Sequence, residues 1–194
     1  MWVIALCHDV AFEQAKRSAL FQAHVGHNLR RIGSFLLTAP LATADGVSGR
    51  EDDPRLCGSV YCLDVESLPL ARDIMESDPY MHAAWRQIDY YQWSSPSGVW
   101  LDPKTSYRRP GPDFRFYIAN SHTTLKMDGA LIRGQVTFLG STGAVPEPLA
   151  EIAVLQAENI EDATERASGA SWVVALPIAI GRWVGVSSVA DLQA

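Results

Sequence analysis

A chain of 194 residues with 47% hydrophobic and 20% charged side chains has the composition of a globular protein of one domain or two small ones. Its formal net charge of −6 argues against a nucleic-acid partner, because phosphate binding depends mainly on lysine and arginine. No apolar run reaches the roughly 18 residues of a membrane span, so we expect no membrane partner. The three scattered cysteines favour buried thiols in a reducing cytoplasm.

The first 93 residues show strand and helix patterns in the order β-α-β-β-α-β. Apolar runs predict strands at 2–7, 34–41, 58–65 and 88–93. Helical spacing of apolar residues predicts helices at 11–32 and from residue 66 to about residue 76. Ser77-Asp78-Pro79-Tyr80 then begins another turn, with Asp78 as N-cap and Pro79 at the first helical position.

The rest of the chain shows a similar order of elements after a linker. Residues 94–113 are rich in proline, glycine and serine, which is typical of a linker. Strands are predicted at 114–120, 135–139, 150–156 and 178–186, and helices at 123–133 and 160–168. We therefore predict four segments: a first repeat at 1–93, the linker, a second repeat at 114–188, and a tail at 189–194.

Two pairs of matching stretches support an internal repeat. Val3-Ile4-Ala5-Leu6-Cys7-His8 is echoed by Tyr117-Ile118-Ala119-Asn120-Ser121-His122, and the stretch from Glu66 to Arg72 by the stretch from Glu158 to Thr164. Extending the second pairing without gaps sets Ala170 opposite Asp78, so the candidate carboxylate has no counterpart in the second copy. The candidate chemistry is therefore confined to the first copy.

The repeat leads to an expectation for the fold. A βαββαβ unit forms a four-stranded antiparallel sheet with both helices on one face. The opposite face is apolar and must be covered. We therefore expect an α+β fold in which two ferredoxin-like βαββαβ repeats pack sheet to sheet as a single-chain α+β barrel.

Four stretches of the first copy resemble the YciI-like family of dimeric α+β-barrel proteins. They are Ala23-His24, Gly33 to Leu41, Gly58-Ser59-Val60 through Glu66-Ser67-Leu68, and Asp78-Pro79-Tyr80. The resemblance covers residues 2–93 and reaches 114–186 only through the internal repeat. Two features depart from the family: Thr38-Ala39-Pro40, where relatives usually have glycine before the proline, and the long loop 42–56.

The resemblance implies a catalytic His–Asp pair, matched here by His24 and Asp78. Relatives also tend to carry a basic side chain at the position of Arg17, which would bind the substrate as an anchor for an anionic oxygen. A positioned imidazole can exchange protons near neutral pH, and a carboxylate on its other nitrogen fixes its tautomer. Because the family includes a dehydrochlorinase that acts on a chlorinated hydroxyquinol, the resemblance implies a cytoplasmic lyase or isomerase that needs no cofactor. Its substrate would be a small phenolic, quinone-like or lactone molecule.

Simpler interpretations of the same residues stay open. Asp78 is explained by helix capping alone, and a histidine on a half-apolar helix face, such as His24, is often structural. Tyr80 would bind substrate or only pack. His27 is a further candidate for substrate binding; with His24 it would make only a weak metal pair, so we expect no metal.

Two other functions also stay open. One is a non-catalytic barrel protein that binds a small molecule or acts as an accessory protein. The other, weaker one is cofactor-free oxygenation of a quinol, which rests on fold analogy alone. A homodimer of two-repeat chains is compatible with either. The test that separates enzyme from binding protein is geometric: whether His24 and Asp78 lie within hydrogen-bond reach and line a closed cavity, or Asp78 only caps its own helix.

Overall fold

The computed structural model of the protein describes residues 1–11, 14–46, 53–101, 115–127 and 129–186. Eight strands form the body of the described part: β1 (Trp2–Asp9), β2 (Phe35–Ala42), β3 (Leu56–Asp64), β4 (Trp85–Ser97), β5 (Arg115–Ser121), β6 (Ile132–Ser141), β7 (Glu151–Ala157) and β8 (Trp172–Leu176). Three α-helices accompany them: α1 (Gln14–Leu29), α2 (Leu68–Glu76) and α3 (Ile160–Arg166). None of the described helices is long and apolar enough to cross a membrane.

The eight strands close into one antiparallel barrel. Their order around the barrel is β1-β3-β2-β8-β5-β7-β6-β4, and β4 returns to β1. Two seams join the halves of the chain. At one seam β4 pairs with β6 from Asp89 opposite Ser141 to Ser97 opposite Arg133. At the other, β2 meets β8 where Ala42 lies opposite Ala175.

The expected fold class, two ferredoxin-like α+β repeats packed sheet to sheet, is wrong. The strands do not form two sheets stacked as layers; they make one closed antiparallel barrel whose structure is mostly strand. The physical reason lies at the sheet edges. An edge strand exposes unpaired N–H and C=O groups, and full closure removes every edge. Here β4 and β2 each pair with a strand of the other half.

The second half also lacks the helix that was predicted at 123–133. The described residues of this stretch form no helix, and β6 begins at Ile132. A partly buried ion pair binds the backbone of the segment instead. Glu151 accepts the N–H of Leu125 at 2.7 Å, and Arg133, itself 2.7 Å from Glu151, donates to the carbonyls of Leu125 and Met127. These bonds satisfy backbone groups that would otherwise be paired within a helix.

Other predicted boundaries shift as well. Residues 94–97, assigned to the linker, continue β4, and the last strand is Trp172–Leu176 rather than 178–186. Most of the linker, at 102–113, and the tail at 189–194 lie outside the described residues.

The core has three parts that follow the alternation of the strands. Along β1, Ile4 and Leu6 point into the barrel, whereas Val3, Ala5 and Cys7 point outward beneath α2 and the turn after it. The outer wall of the second half packs a separate cluster around Ala163 of α3. The outer wall of the first half is where the predicted site residues gather.

Candidate active site

Helix α1 lies across the outer wall of the first half and buries one polar stripe against it. The buried residues are Arg17, His24, His27 and Asn28, which follow the 3.6-residue period of a helix. Opposite the stripe stands the short 3-10 turn Pro79–His82 that follows α2. A helix face made of charged and amide side chains needs partners on the wall or the turn, because buried polar groups without hydrogen bonds are costly.

His24 and Asp78 lie in direct contact. Nδ1 of His24 is 2.8 Å from both Oδ1 and Oδ2 of Asp78. Asp78 is 1% exposed and His24 is 8% exposed. The contact that the resemblance implied for this pair is therefore present, and it joins the first helix to the turn after α2.

Asp78 also caps its own turn. Its Oδ1 accepts the backbone N–H of Tyr80 at 2.8 Å, with Pro79 at the first helical position as predicted. Capping the turn and pairing with His24 are not alternatives, because the Asp78 carboxylate does both. The cap fixes the carboxylate in space, so that the imidazole meets an acceptor that is already oriented.

The other ring nitrogen of His24 is also occupied. Nε2 is 3.0 Å from Nδ2 of Asn28 and 3.3 Å from the hydroxyl of Tyr61. The carboxylate accepts at Nδ1 and the amide donates at Nε2, so this arrangement fits a neutral imidazole that carries its proton on Nδ1. If the Asn28 amide rotated by 180°, its oxygen would face Nε2. It would then accept a hydrogen bond from a second proton on that nitrogen. Asp78 and Asn28 can therefore form hydrogen bonds to either charge state of the His24 ring.

Tyr80 forms one wall around the imidazole. Its ring is stacked on His24 with centroids 3.8 Å apart and planes at 4°, and Trp85 meets His24 edge-on at 5.8 Å. The Tyr80 hydroxyl donates to the carbonyl of Arg17 at 3.1 Å. Tyr80 packs as the simpler interpretation expects, and its polar end is bonded to the protein.

Arg17, the predicted anchor for an anionic oxygen, is buried and already paired. Its Nη1 lies 2.9 Å from Oδ1 of Asp9, and Ser59 Oγ is 3.5 Å away. The guanidinium carbon sits 4.9 Å from the centroid of the Tyr80 ring, which makes a cation–π contact. Arg17 therefore supports the Tyr80 wall rather than lying open to solvent.

His27 connects the two helices of the first half. Its Nε2 donates to the carbonyl of Ile74 at 2.8 Å and lies 3.9 Å from Oδ2 of Asp78. Burial lowers the pKa of His27 below its ordinary value, although the charge of Asp78 opposes the shift. Among the described residues, no group of three His, Cys, Asp or Glu side chains is placed to hold a metal ion.

Two neighbours of the pair stay protonated at neutral pH. Burial, and then the charge of Asp78, raises the pKa of the Tyr61 hydroxyl well above its usual value, and the same two causes raise the pKa of the Cys7 thiol. Neither residue supplies an anion to the site.

The sequence interpretation missed Asn28 and Tyr61 as parts of the site. Asn28 could have been found, because it follows His24 by four residues on one helix face. Tyr61 comes from β3, so its approach depends on how the helix crosses the wall. No local sequence signal carries that information.

Comparisons with known proteins give little beyond this geometry. No family model and no curated protein matches the chain. Among solved structures, the chain is similar to 5-chloro-2-hydroxyhydroquinone dehydrochlorinase from Burkholderia phenoliruptrix AC1100 in complex with 2,5-dihydroxybenzoquinone, with 20% identity and a TM-score of 0.42. The match covers 48% of this chain and 94% of that chain. The function of this chain must therefore be inferred from its own site.

Proposed function

We propose that this protein is a small-molecule-transforming enzyme that uses His24 as a general base and Asp78 as the residue that orients it. The observation that carries the proposal is the 2.8 Å contact between His24 Nδ1 and a carboxylate that is itself fixed by the N–H of Tyr80. A carboxylate in this position holds the tautomer whose free lone pair lies on Nε2 and stabilises the imidazolium that forms. Membership of the first half in the YciI-like family is part of the same proposal.

The chemistry that fits is proton transfer without a cofactor, in a lyase of the dehydrochlorinase kind or an isomerase. Nε2 takes a proton from an acidic C–H or O–H group, and the released electron pair forms a new double bond. In a dehydrochlorination chloride leaves with its bonding electrons; in an isomerisation the proton returns at another carbon. The imidazolium then gives its proton to water or product, which restores the base.

The substrate we propose is a small phenolic, quinone-like or lactone molecule. The walls around the imidazole are aromatic, from Tyr80, Trp85 and Tyr61. Such walls suit a flat ring, because stacked and edge-to-face contacts are favourable between aromatic groups. Access to Nε2 requires the Asn28 amide to move aside, since it now occupies that nitrogen.

The hydrogen bond from Asn28 to Nε2 of His24 favours a second candidate function. His24 is 8% exposed and both of its ring nitrogens are hydrogen-bonded, as in a purely structural histidine. A non-catalytic barrel protein that binds a small molecule or acts as an accessory protein fits this observation. In that case the His24–Asp78 pair stabilises the contact between α1 and the Pro79–His82 turn and takes no proton from a ligand.

Proton abstraction itself provides the test. A chlorinated hydroxyquinol and an unsaturated lactone are incubated with protein in D₂O, and deuterium incorporation and chloride release are followed by NMR and ion chromatography. We expect turnover by the wild type and a loss of about 10²–10⁴-fold in His24→Gln, the usual contribution of a general base. Asp78→Asn should be impaired as well.

The matched control is His122→Gln, which alters a histidine whose side chain is 35% exposed and lies in the other half of the chain. It should retain wild-type turnover. Equal turnover in wild type and His24→Gln would reject His24 as the base. Binding of either compound without deuterium incorporation, and unaffected by His24→Gln, would favour the non-catalytic candidate.

A further inference from the structure

A second His–Asp pair lies inside the barrel, on the opposite side of the wall from His24. Nε2 of His8 is 2.8 Å from Oδ2 of Asp89. His8 continues the inward alternation of Ile4 and Leu6 along β1, and Asp89 lies directly opposite Leu6 on β4. The pair therefore faces the lumen near the end of the barrel where β1 finishes.

The carboxylate of this pair is held in place by several donors. Gln87 donates to Oδ1 of Asp89 at 2.7 Å, and Ser141, opposite on β6, adds a side-chain hydrogen bond. Burial raises the pKa of Asp89, but the hydrogen bonds from His8, Ser141 and Gln87 outweigh it and hold the pKa below its ordinary value. A fixed anion thus orients His8, whose side chain is 36% exposed and whose Nδ1 is given no hydrogen-bond partner by the described residues.

Across the lumen stands a buried amide without partners. Asn120 is 0% exposed, and neither its Nδ2 nor its Oδ1 has a hydrogen-bond partner among the described residues. It lies opposite Ile152 of β7, which points into the barrel core, so its side chain points inward as well. Native proteins rarely bury such a group unpaired, because its loss of hydration is not compensated.

His8 and Asn120 belong to the same end of the barrel. Four antiparallel pairings separate β1 from β5 around the barrel, so these two strands run in the same direction and lie on opposite walls. His8 is the last residue but one of β1, and Asn120 is the last but one of β5. The two polar groups therefore face each other across one end of the lumen.

We propose that this end of the lumen is a binding site for a small planar ring compound with a hydroxyl or carbonyl group at each end. An eight-stranded barrel is wide enough to hold one small ligand. The His8–Asp89 pair would bind one polar end, and the Asn120 amide, which both donates and accepts, would bind the other. Apolar and aromatic side chains between them, Leu6, Tyr91, Ile118 and Ile152, would contact the ring. This site is separate from the His24–Asp78 site and does not depend on its function.

The test uses hydroquinone as the probe, kept reduced, on the full-length ¹⁵N- and methyl-labelled protein. We expect saturable NMR shifts at the amides of His8, Asn120 and Ile152, and NOEs from the probe ring to the Ile118 and Ile152 methyl groups. Toluene, which lacks the polar ends, should bind at least tenfold more weakly. Asn120→Leu should weaken hydroquinone binding at least tenfold, and Glu66→Gln, at an exposed position outside both sites, should leave it unchanged.

The wild-type measurement stands even if a lumen variant fails to fold. The absence of saturable shifts at millimolar hydroquinone would overturn the proposal. So would NOEs confined to the Tyr80 and Trp85 rings, or unchanged affinity in a folded Asn120→Leu protein. Because the readout is binding in the lumen, its failure leaves the proton-transfer test at His24 untouched, and the reverse is also true.

Discussion

The imidazole of His24 lies flat on the ring of Tyr80, with centroids 3.8 Å apart and planes at 4°. The same tyrosine ring meets the guanidinium of Arg17, and its hydroxyl donates to the Arg17 carbonyl. Tyr80 thus connects the two polar clusters on α1, the His24–Asp78 pair and the Arg17–Asp9 pair. The aromatic wall beside the His24 imidazole is therefore fixed from both sides.

Two substitutions at Tyr80 separate its ring from its hydroxyl. Tyr80→Phe keeps the stack and loses one buried hydrogen bond, so the free energy of unfolding should fall by about 1 kcal/mol. Tyr80→Leu also loses the ring contacts and leaves space, and it should cost roughly 2–4 kcal/mol. Urea denaturation measures both. Equal losses in the two variants would show that the stack adds nothing to stability.

The two histidines of α1 should adopt opposite neutral tautomers. His24 meets a carboxylate at Nδ1 and an amide donor at Nε2, so its proton belongs on Nδ1. His27 donates from Nε2 to the Ile74 carbonyl, so its proton belongs on Nε2. Long-range ¹H–¹⁵N spectra of the imidazoles distinguish the two forms, and one sample serves as its own control. Identical tautomers would mean that one of these hydrogen bonds is absent.

Stability should depend on pH through His27. Burial lowers its pKa in the folded protein below the ordinary value of 6.5, so between those two values the unfolded chain binds more protons than the folded one. Stability therefore rises with pH through this window and is lost as the pH falls through 6.5 toward the lowered value. His27→Gln keeps an N–H for the Ile74 carbonyl and removes the titration. Its unfolding free energy, measured by urea at several pH values, should rise less steeply than that of wild type.

Two buried asparagines should respond in opposite directions to the same substitution. Asn120→Leu removes an unpaired amide from the barrel, so the free energy of unfolding should rise by roughly 1–3 kcal/mol. Asn28→Leu breaks bonds to His24 and Tyr61 and should lower it by about 2 kcal/mol. Thermal and urea unfolding of the pair supply the comparison. A lower free energy of unfolding in both variants would mean that the Asn120 amide is hydrogen-bonded in solution.

The parts of the molecule that follow local rules could be predicted from the sequence. The Asp-Pro-Tyr turn forms because a carboxylate caps a turn that begins with proline, and the first helix presents His24 on its buried face because of the helical period. These two facts fix where each residue lies in its own element, whereas the choice of His24 and Asp78 as a pair came from the resemblance to the YciI-like family. Their contact depends on packing, and the structure supplies it.

The closure of the barrel could not be predicted in the same way. It depends on pairing between strands far apart in the sequence, such as β4 with β6 and β2 with β8. The segment at 123–127 shows the same limit, because its backbone bonds to Glu151 and Arg133 rather than to itself. Asn120 carries no local signal either, since an amide at the end of a strand is ordinary until the opposite wall is known.

The two seams of the barrel are unequal, and this gives the molecule a preferred direction of opening. The seam between β4 and β6 is a long ladder, whereas β2 and β8 meet among the described residues only at Ala42 and Ala175, with one further bridge between Thr38 and Ile180. Local fluctuations follow the boundary with the fewest bonds. The barrel should therefore part along β2 and β8 while β4 and β6 act as the hinge, and amides facing the short seam should exchange with solvent faster than those of the long one. A molecule bound in the lumen would enter and leave through the seam between β2 and β8, at a rate set by the local opening of that seam.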